Sequence, residues 1–278
     1  MNFIIIGSQR TGSTMLCDYL NKQNDIKCHY EIFLNTGIEL SSIDGNKVSV
    51  NPNILKHNFF IKRFNESHIT IEDLNIANEI IQNKSNINRF TDPALLIDIL
   101  NRHNTKKNLG FKLFYYQIDM FKNFDIINYI KSNNIKIIHL YRENKFLQEL
   151  SYQKRIHTNV SRVKQNENYN NQKINFDIQL YHKRSNGHQA LFEHYNQQFT
   201  DNNILTINIA YEGLCKEKTK TLQSIVNFIT NESNFTEISE DSLLFKKMNV
   251  YTLQDQIENF DEVYNFLKND VHFLRALR

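Results

Sequence analysis

The chain has 278 residues, 40% of them hydrophobic and 23% charged, which suits a globular protein with a sizeable buried core. A net charge of +3 is too small to argue for a nucleic-acid partner, although it leaves room for a local basic site that takes an anionic ligand. The three cysteines (Cys17, Cys28 and Cys215) form neither a disulfide framework nor a metal-ligand spacing. No run approaches the ~18 apolar residues of a membrane span, and the chain opens on what reads as a core strand. A soluble, cytoplasmic protein is the expectation.

In chain order, Phe3–Ile6 reads as a buried strand, rich in β-branched residues, and Thr14–Asn21 as a helix. Ile26–Tyr30 is a weaker strand. The stretch from Asn35 to Thr91 is the least regular and reads as an insertion, at about 35–91, over the sheet's carboxyl edge. Pro93–Arg102 is a helix, with Asp92 as its N-cap and Pro93 in the first helical position. A second weak strand, Leu109–Phe114, precedes a helix over Ile118–Lys131. Ile135–Tyr141 is a clear buried strand, followed by a helix over Phe146–His157 and a polar, loop-like stretch over Ser161–Asn175. Phe176–Phe199 is a helix, Ile204–Ile209 a strand, and Lys218–Ile229 and Asp261–Lys268 are helices. With no repeat and no Pro/Gly/Ser linker, the alternation predicts one α/β domain over 1–278, with a central, mostly parallel sheet and helices on both faces.

The first strand runs into Gly7-Ser8-Gln9-Arg10-Thr11-Gly12-Ser13-Thr14 and then a helix. Gly-x-x-x-x-Gly at a strand–helix junction is the spacing of a phosphate-binding loop, in which backbone N–H groups and the helix N-terminus converge on one anion. A nucleotide-triphosphate loop carries Lys where this chain has Ser13, and the nearest cation here is Arg10. The same spacing also fits a strand–turn–helix that merely contains Gly and Ser.

Gln9-Arg10-Thr11-Gly12-Ser13-Thr14 resembles the 5′-phosphosulfate loop of sulfotransferases that use 3′-phosphoadenosine 5′-phosphosulfate (PAPS). The likeness is to the branch of bacterial carbohydrate and tyrosylprotein enzymes. It implies a P-loop-like three-layer sandwich, PAPS as co-substrate without a metal, and cofactor contacts from Arg10, Thr11, Gly12, Ser13 and Thr14. It also implies that an Arg just after a central strand and a Ser about two helical turns on hold the 3′-phosphate. Arg142 and Ser151 match those positions, and Arg155 matches a second Arg of the tyrosylprotein branch. Ser151 and Arg155, four apart on a helix, share one face. Alone, Arg142 and Ser151 also fit a solvated strand-end Arg and a helix-surface Ser.

Two weaker marks follow. Ala210-Tyr211-Glu212-Gly213-Leu214 resembles the family's Tyr-Glu-x-Leu element, which implies a nucleotide contact for Tyr211; a Tyr packed in the core fits equally. Lys246 and Lys247 lie in a segment resembling one that closes over the nucleotide in bacterial relatives, although paired lysines also suit a solvated surface.

Sulfuryl transfer needs positioning, charge stabilisation and a base for the acceptor hydroxyl. Glu31, after the strand beside the phosphate loop, matches the acceptor base of the tyrosylprotein and bacterial branches, and His29 is its competitor within the same segment. Arg10 is the first cation for the transferring group. Lys112, in Leu109-Gly110-Phe111-Lys112-Leu113-Phe114, is the second, although a Lys flanked by aromatics can simply snorkel. A carbohydrate is the first expectation for the acceptor, by analogy with the bacterial branch. Two other readings stay open: a P-loop nucleotide or small-molecule kinase, which lacks its loop Lys here, and a non-catalytic nucleotide-binding module.

Overall fold

In the computed structural model, which describes residues 1–33, 93–121, 124–160, 163–164, 171–239, 243, 245–246 and 251–277, strand β1 (Phe3–Gly7) is buried along its whole length. Its side chains serve two cores. Ile4 and Ile6 join one hydrophobic cluster, and Phe3 and Ile5 join the other. This is the period-two alternation of a strand covered on both faces. Strands β2 (Ile26–Glu31), β3 (Asn108–Phe114), β4 (Lys136–Tyr141) and β6 (Thr206–Ala210) complete a parallel sheet in the order β2-β3-β1-β4-β6.

Helices cover both faces. α2 (Pro93–Arg102), α4 (Ile126–Ser132) and α6 (Ile178–Asp201) place Ile97, Leu100, Ile126, Ile130, Tyr195 and Phe199 against Ile4 and Ile6. α1 (Ser13–Asn21), α7 (Tyr211–Lys216) and α8 (Lys218–Thr230) place Leu16, Leu20, Leu214, Leu222 and Ile225 with Phe3 and Ile5. A third cluster joins Phe146 and Leu150 of α5 (Lys145–Thr158) to Val263 of α9 (Phe260–Leu267) and Phe273 of α10 (Val271–Ala276). Full burial of such a side chain contributes roughly 1.5–3 kcal/mol. The fold is the three-layer α/β sandwich that the alternation of elements implied. Among the described residues no helix is long and apolar enough to cross a membrane.

The structure departs from the sequence expectations at element ends. The helix expected over Ile118–Lys131 is two pieces: a single turn, α3 (Tyr115–Ile118), and α4. Asp125 restarts the helix by accepting a hydrogen bond from Asn128 N at 3.0 Å. The last central strand starts at Thr206 rather than Ile204, because Ile204 N closes the end of α6 by donating to Phe199 O at 2.9 Å after a left-handed Asn203. The polar stretch after α5 carries a two-residue strand, β5 (Val163–Lys164), which pairs antiparallel with β7 (Phe245–Lys246). It also carries a buried Ile174 bridged to Ile257. The expected insertion at 35–91, the cap Asp92 and Lys247 lie outside the described residues.

His139 of β4 has no exposed surface and is enclosed by Tyr115, whose hydroxyl lies 2.6 Å from Nε2, and by the rings of Phe192 and Phe199. Burial pushes it down to about 4, and His188 of α6 is likewise pushed down to about 4 by burial and by the charges of Arg184 and Lys145. The unfolded chain protonates both near 6.5, while the folded chain resists until about 4. Their contribution is therefore complete above pH 6.5 and falls by about 1.4 kcal/mol per pH unit for each histidine as pH drops from 6.5 towards 4. Urea unfolding at pH 7 and pH 5 measures this loss, and His139→Asn is expected to make the dependence on pH shallower.

Candidate active site

β1 delivers the chain into the loop 8–12 at the carboxyl edge of the sheet, where open α/β sheets bind ligands. Gly7 ends the strand where a Cβ would stand 2.2 Å from Leu140 O of β4. Gly12, with φ of 80°, caps α1 in the left-handed region, and a Cβ there would lie 2.4 Å from the Tyr211 ring. Arg10 is also left-handed, with φ of 64°. For a residue with a Cβ this costs roughly 1–2 kcal/mol, so the loop needs holding from outside. Thr11 Oγ1 donates to Ser8 O at 2.9 Å, Gln148 Nε2 to Gln9 O at 2.8 Å, and Arg142 Nη1 to Arg10 O at 3.3 Å.

Two poles flank the loop. On one side, Arg10 Nε donates to Ser151 Oγ at 2.9 Å. Arg142 is 5% exposed and lies over the Tyr211 ring, with Cζ 4.6 Å from its centroid. Its Nε is 3.8 Å from Glu212 Oε1 and makes no hydrogen bond among the described residues. Arg155 follows Ser151 by one turn of α5 and is exposed. Burial, and then the like charges of Arg142 and Arg155, push Arg10 down to about 10. Ser151, Arg10, Arg142 and Tyr211 therefore form one connected group with Arg155 nearby.

On the other side, Lys112 of β3 is 1% exposed. Its Nζ pairs with Glu31 Oε1 at 2.7 Å, donates to Thr14 Oγ1 at 2.8 Å, and is 3.5 Å from Ser13 Oγ. A bulge in β2 makes this pair. His29 lies opposite Phe111, but after a register shift Glu31, not Tyr30, lies opposite Lys112. Tyr30 faces α1 and its hydroxyl donates to Asp18. His29 shares the face of Phe111, a member of the Ile4/Ile6 core, and so lies on the face away from Lys112. The loop lacks a lysine at position 13, and a cation reaches the same first helical turn from β3.

Residues 2–234 match the model of the sulfotransferase family. The chain belongs to that family. Among solved structures, it is similar to a sulfotransferase from Alicyclobacillus acidocaldarius known from a crystal structure. The identity is 15%, the match covers 99% of this chain and 94% of that one, and the TM-score is 0.43. No curated protein matches the chain in sequence.

Within this sulfotransferase the structure gathers Glu31, Lys112, Ser13 and Thr14 at one pole and Arg10, Arg142, Ser151 and Tyr211 at the other. Lys246 stands in β7, and its backbone pairs with Val163. Sequence reasoning missed three supports. Gln148 holds Gln9 from α5. Glu212 accepts from Glu143 N at 2.9 Å and Asn144 N at 3.1 Å, clipping the start of α5 to the end of β6. His188 Nδ1 lies 3.1 Å from Ser8 Oγ. Glu212 was visible in its motif beside Tyr211. Gln148 and His188 sit in polar helical stretches where nothing local marks them.

Proposed function

We propose that this sulfotransferase takes its sulfuryl group from PAPS and passes it to an acceptor hydroxyl. A carbohydrate is the first acceptor class, on the resemblance of its loop to that of bacterial carbohydrate enzymes. The carrying observation is Arg142, a buried guanidinium whose Nε makes no hydrogen bond among the described residues and which lies beside Arg10, itself under the like charges of Arg142 and Arg155. A buried charge without full compensation is costly, and an anionic ligand offsets that cost. Arg142, Ser151 and Arg155 would hold the 3′-phosphate, a group that ATP and AMP lack. The N–H groups of the loop 11–14 and the N-terminus of α1 would hold the 5′-phosphosulfate. Tyr211, against both Gly12 and Arg142, would line the nucleotide.

In this reading the acceptor oxygen attacks sulfur, the bond from sulfur to the phosphate oxygen breaks, and 3′,5′-adenosine bisphosphate (PAP) leaves. Glu31 takes the acceptor's proton and returns it to water. Lys112 and Arg10 stabilise charge on the transferring group and the leaving oxygen. Glu31 is favoured over His29 because it shares its side of the sheet with Lys112 and the start of α1, whereas His29 does not.

The test is transfer of labelled sulfate from PAPS to a panel of sugars and phenols, run in excess chelator. Transfer is expected to persist, because the cations that the mechanism uses are side chains. Loss of transfer that magnesium restores, or phosphate transfer from ATP, would overturn the reading in favour of a kinase.

A further inference from the structure

The phosphate loop is anchored residue by residue, and one anchor belongs to no motif. Gln9 is held through its carbonyl by Gln148, Arg10 through its carbonyl by Arg142, and Gly12 by the ring of Tyr211. Ser8, the first loop residue, is reached by His188 from α6, 180 residues away, with Nδ1 3.1 Å from its Oγ. Ser8 also accepts the Thr11 hydroxyl through its carbonyl at 2.9 Å, so its position sets that of the turn. The turn contains a left-handed Arg10, which an unsupported chain would leave readily.

His188 is itself well placed to act as an anchor. One turn earlier on α6, Arg184 Nε pairs with Glu149 Oε2 at 2.8 Å, and its guanidinium carbon lies 3.5 Å from the centre of the Tyr152 ring. Those two contacts fix α6 against α5, the helix that supplies Gln148 and Ser151. One turn later, Phe192 stacks on His139 and packs on Tyr141 at the end of β4. Burial with Arg184 and Lys145 nearby keeps the imidazole neutral at ordinary pH, with one nitrogen able to accept and one to donate.

We propose that His188 is a positioning residue of the phosphate loop: its Nδ1 holds the Ser8 hydroxyl and thereby stabilises the loop conformation that receives the 5′ end of the donor nucleotide. The second half of this statement rests on the PAPS reading, whereas the first half does not.

Two readouts separate them. Hydrogen exchange of the amides of residues 8–12 in the ligand-free protein reports the anchor alone. His188→Ala and Ser8→Ala are each expected to speed that exchange about three- to tenfold, the range for loss of one net hydrogen bond. The double variant should be no faster than either single one. His188→Asn puts an amide where Nδ1 stands and is expected to restore protection, whereas His188→Gln, whose amide reaches the Nε2 position, is not. A role in packing alone would favour neither amide. PAP affinity, measured by titration on the same proteins, is expected to fall about three- to tenfold in His188→Ala and to return in His188→Asn. Unchanged exchange in both single alanine variants, additive effects, or equal rescue by Asn and Gln would overturn the anchor. Ser8→Ala removes one oxygen, so it keeps the test decisive if His188→Ala fails to fold. Altered exchange combined with no PAP binding by the wild-type protein would keep the anchor and sink the donor reading.

Discussion

Replacing Glu31 by glutamine is expected to lower turnover about 10²–10⁴-fold, the usual contribution of a general base, while PAP affinity changes by less than about twofold. Glutamine keeps the shape and one carbonyl oxygen for Lys112 Nζ, which now lies 2.7 Å from the carboxylate. It removes the carboxylate proposed to take the acceptor's proton. Steady-state turnover with saturating PAPS measures the effect, and urea unfolding of the same variant guards its meaning. Lys112 is almost fully buried, so loss of its charge partner carries a stability cost. A folded Glu31→Gln protein with near wild-type turnover would rule out Glu31 as the base and make His29 the next residue to test. A variant that does not fold would leave the carboxylate with only its structural role beside Lys112.

Removing Arg142 is expected to weaken PAP binding about 10- to 100-fold and AMP binding much less, because a hydrogen bond to a charged group contributes roughly 1.5–3 kcal/mol and AMP has no 3′-phosphate. Arg142 also donates to the carbonyl of Arg10 and lies over Tyr211. Arg142→Lys keeps the charge but loses the planar fork and the stacking, so it should recover only part of the affinity. A uniform loss for PAP and AMP would mean that Arg142 supports the loop and does not read the 3′-phosphate.

The sequence carried the centre of the sheet because β1 and β4 lie in apolar runs, and a strand covered on both faces has little other composition open to it, whereas β3, broken by Gly110 and Lys112, reads more weakly. It carried the phosphate loop because Gly7 and Gly12 are imposed by contacts no Cβ could survive, one with Leu140 O and one with Tyr211. The partners of the loop were less legible. That Lys112 meets Glu31 depends on a one-residue bulge between His29 and Glu31, and nothing in that hexapeptide marks it. That Arg10 bonds to Ser151 joins residues 141 apart in sequence, and His188 meets Ser8 over a still longer separation. Such contacts follow from how α5 and α6 dock on the sheet, which local periodicity does not encode. The split of the helix after β3 had a local sign, Asp125 as an N-cap, but the apolar spacing across it was continuous.

The basic pole around Arg142 is proposed to read a 3′-phosphate. Thermal unfolding of the wild-type protein with PAP and with AMP, each at the same concentration, tests it most directly. PAP at 100 times its dissociation constant is expected to add about 2.7 kcal/mol, a rise in Tm of roughly 5 °C for a chain of this size, while AMP at that concentration shifts Tm much less. Equal shifts with PAP and AMP would contradict the account.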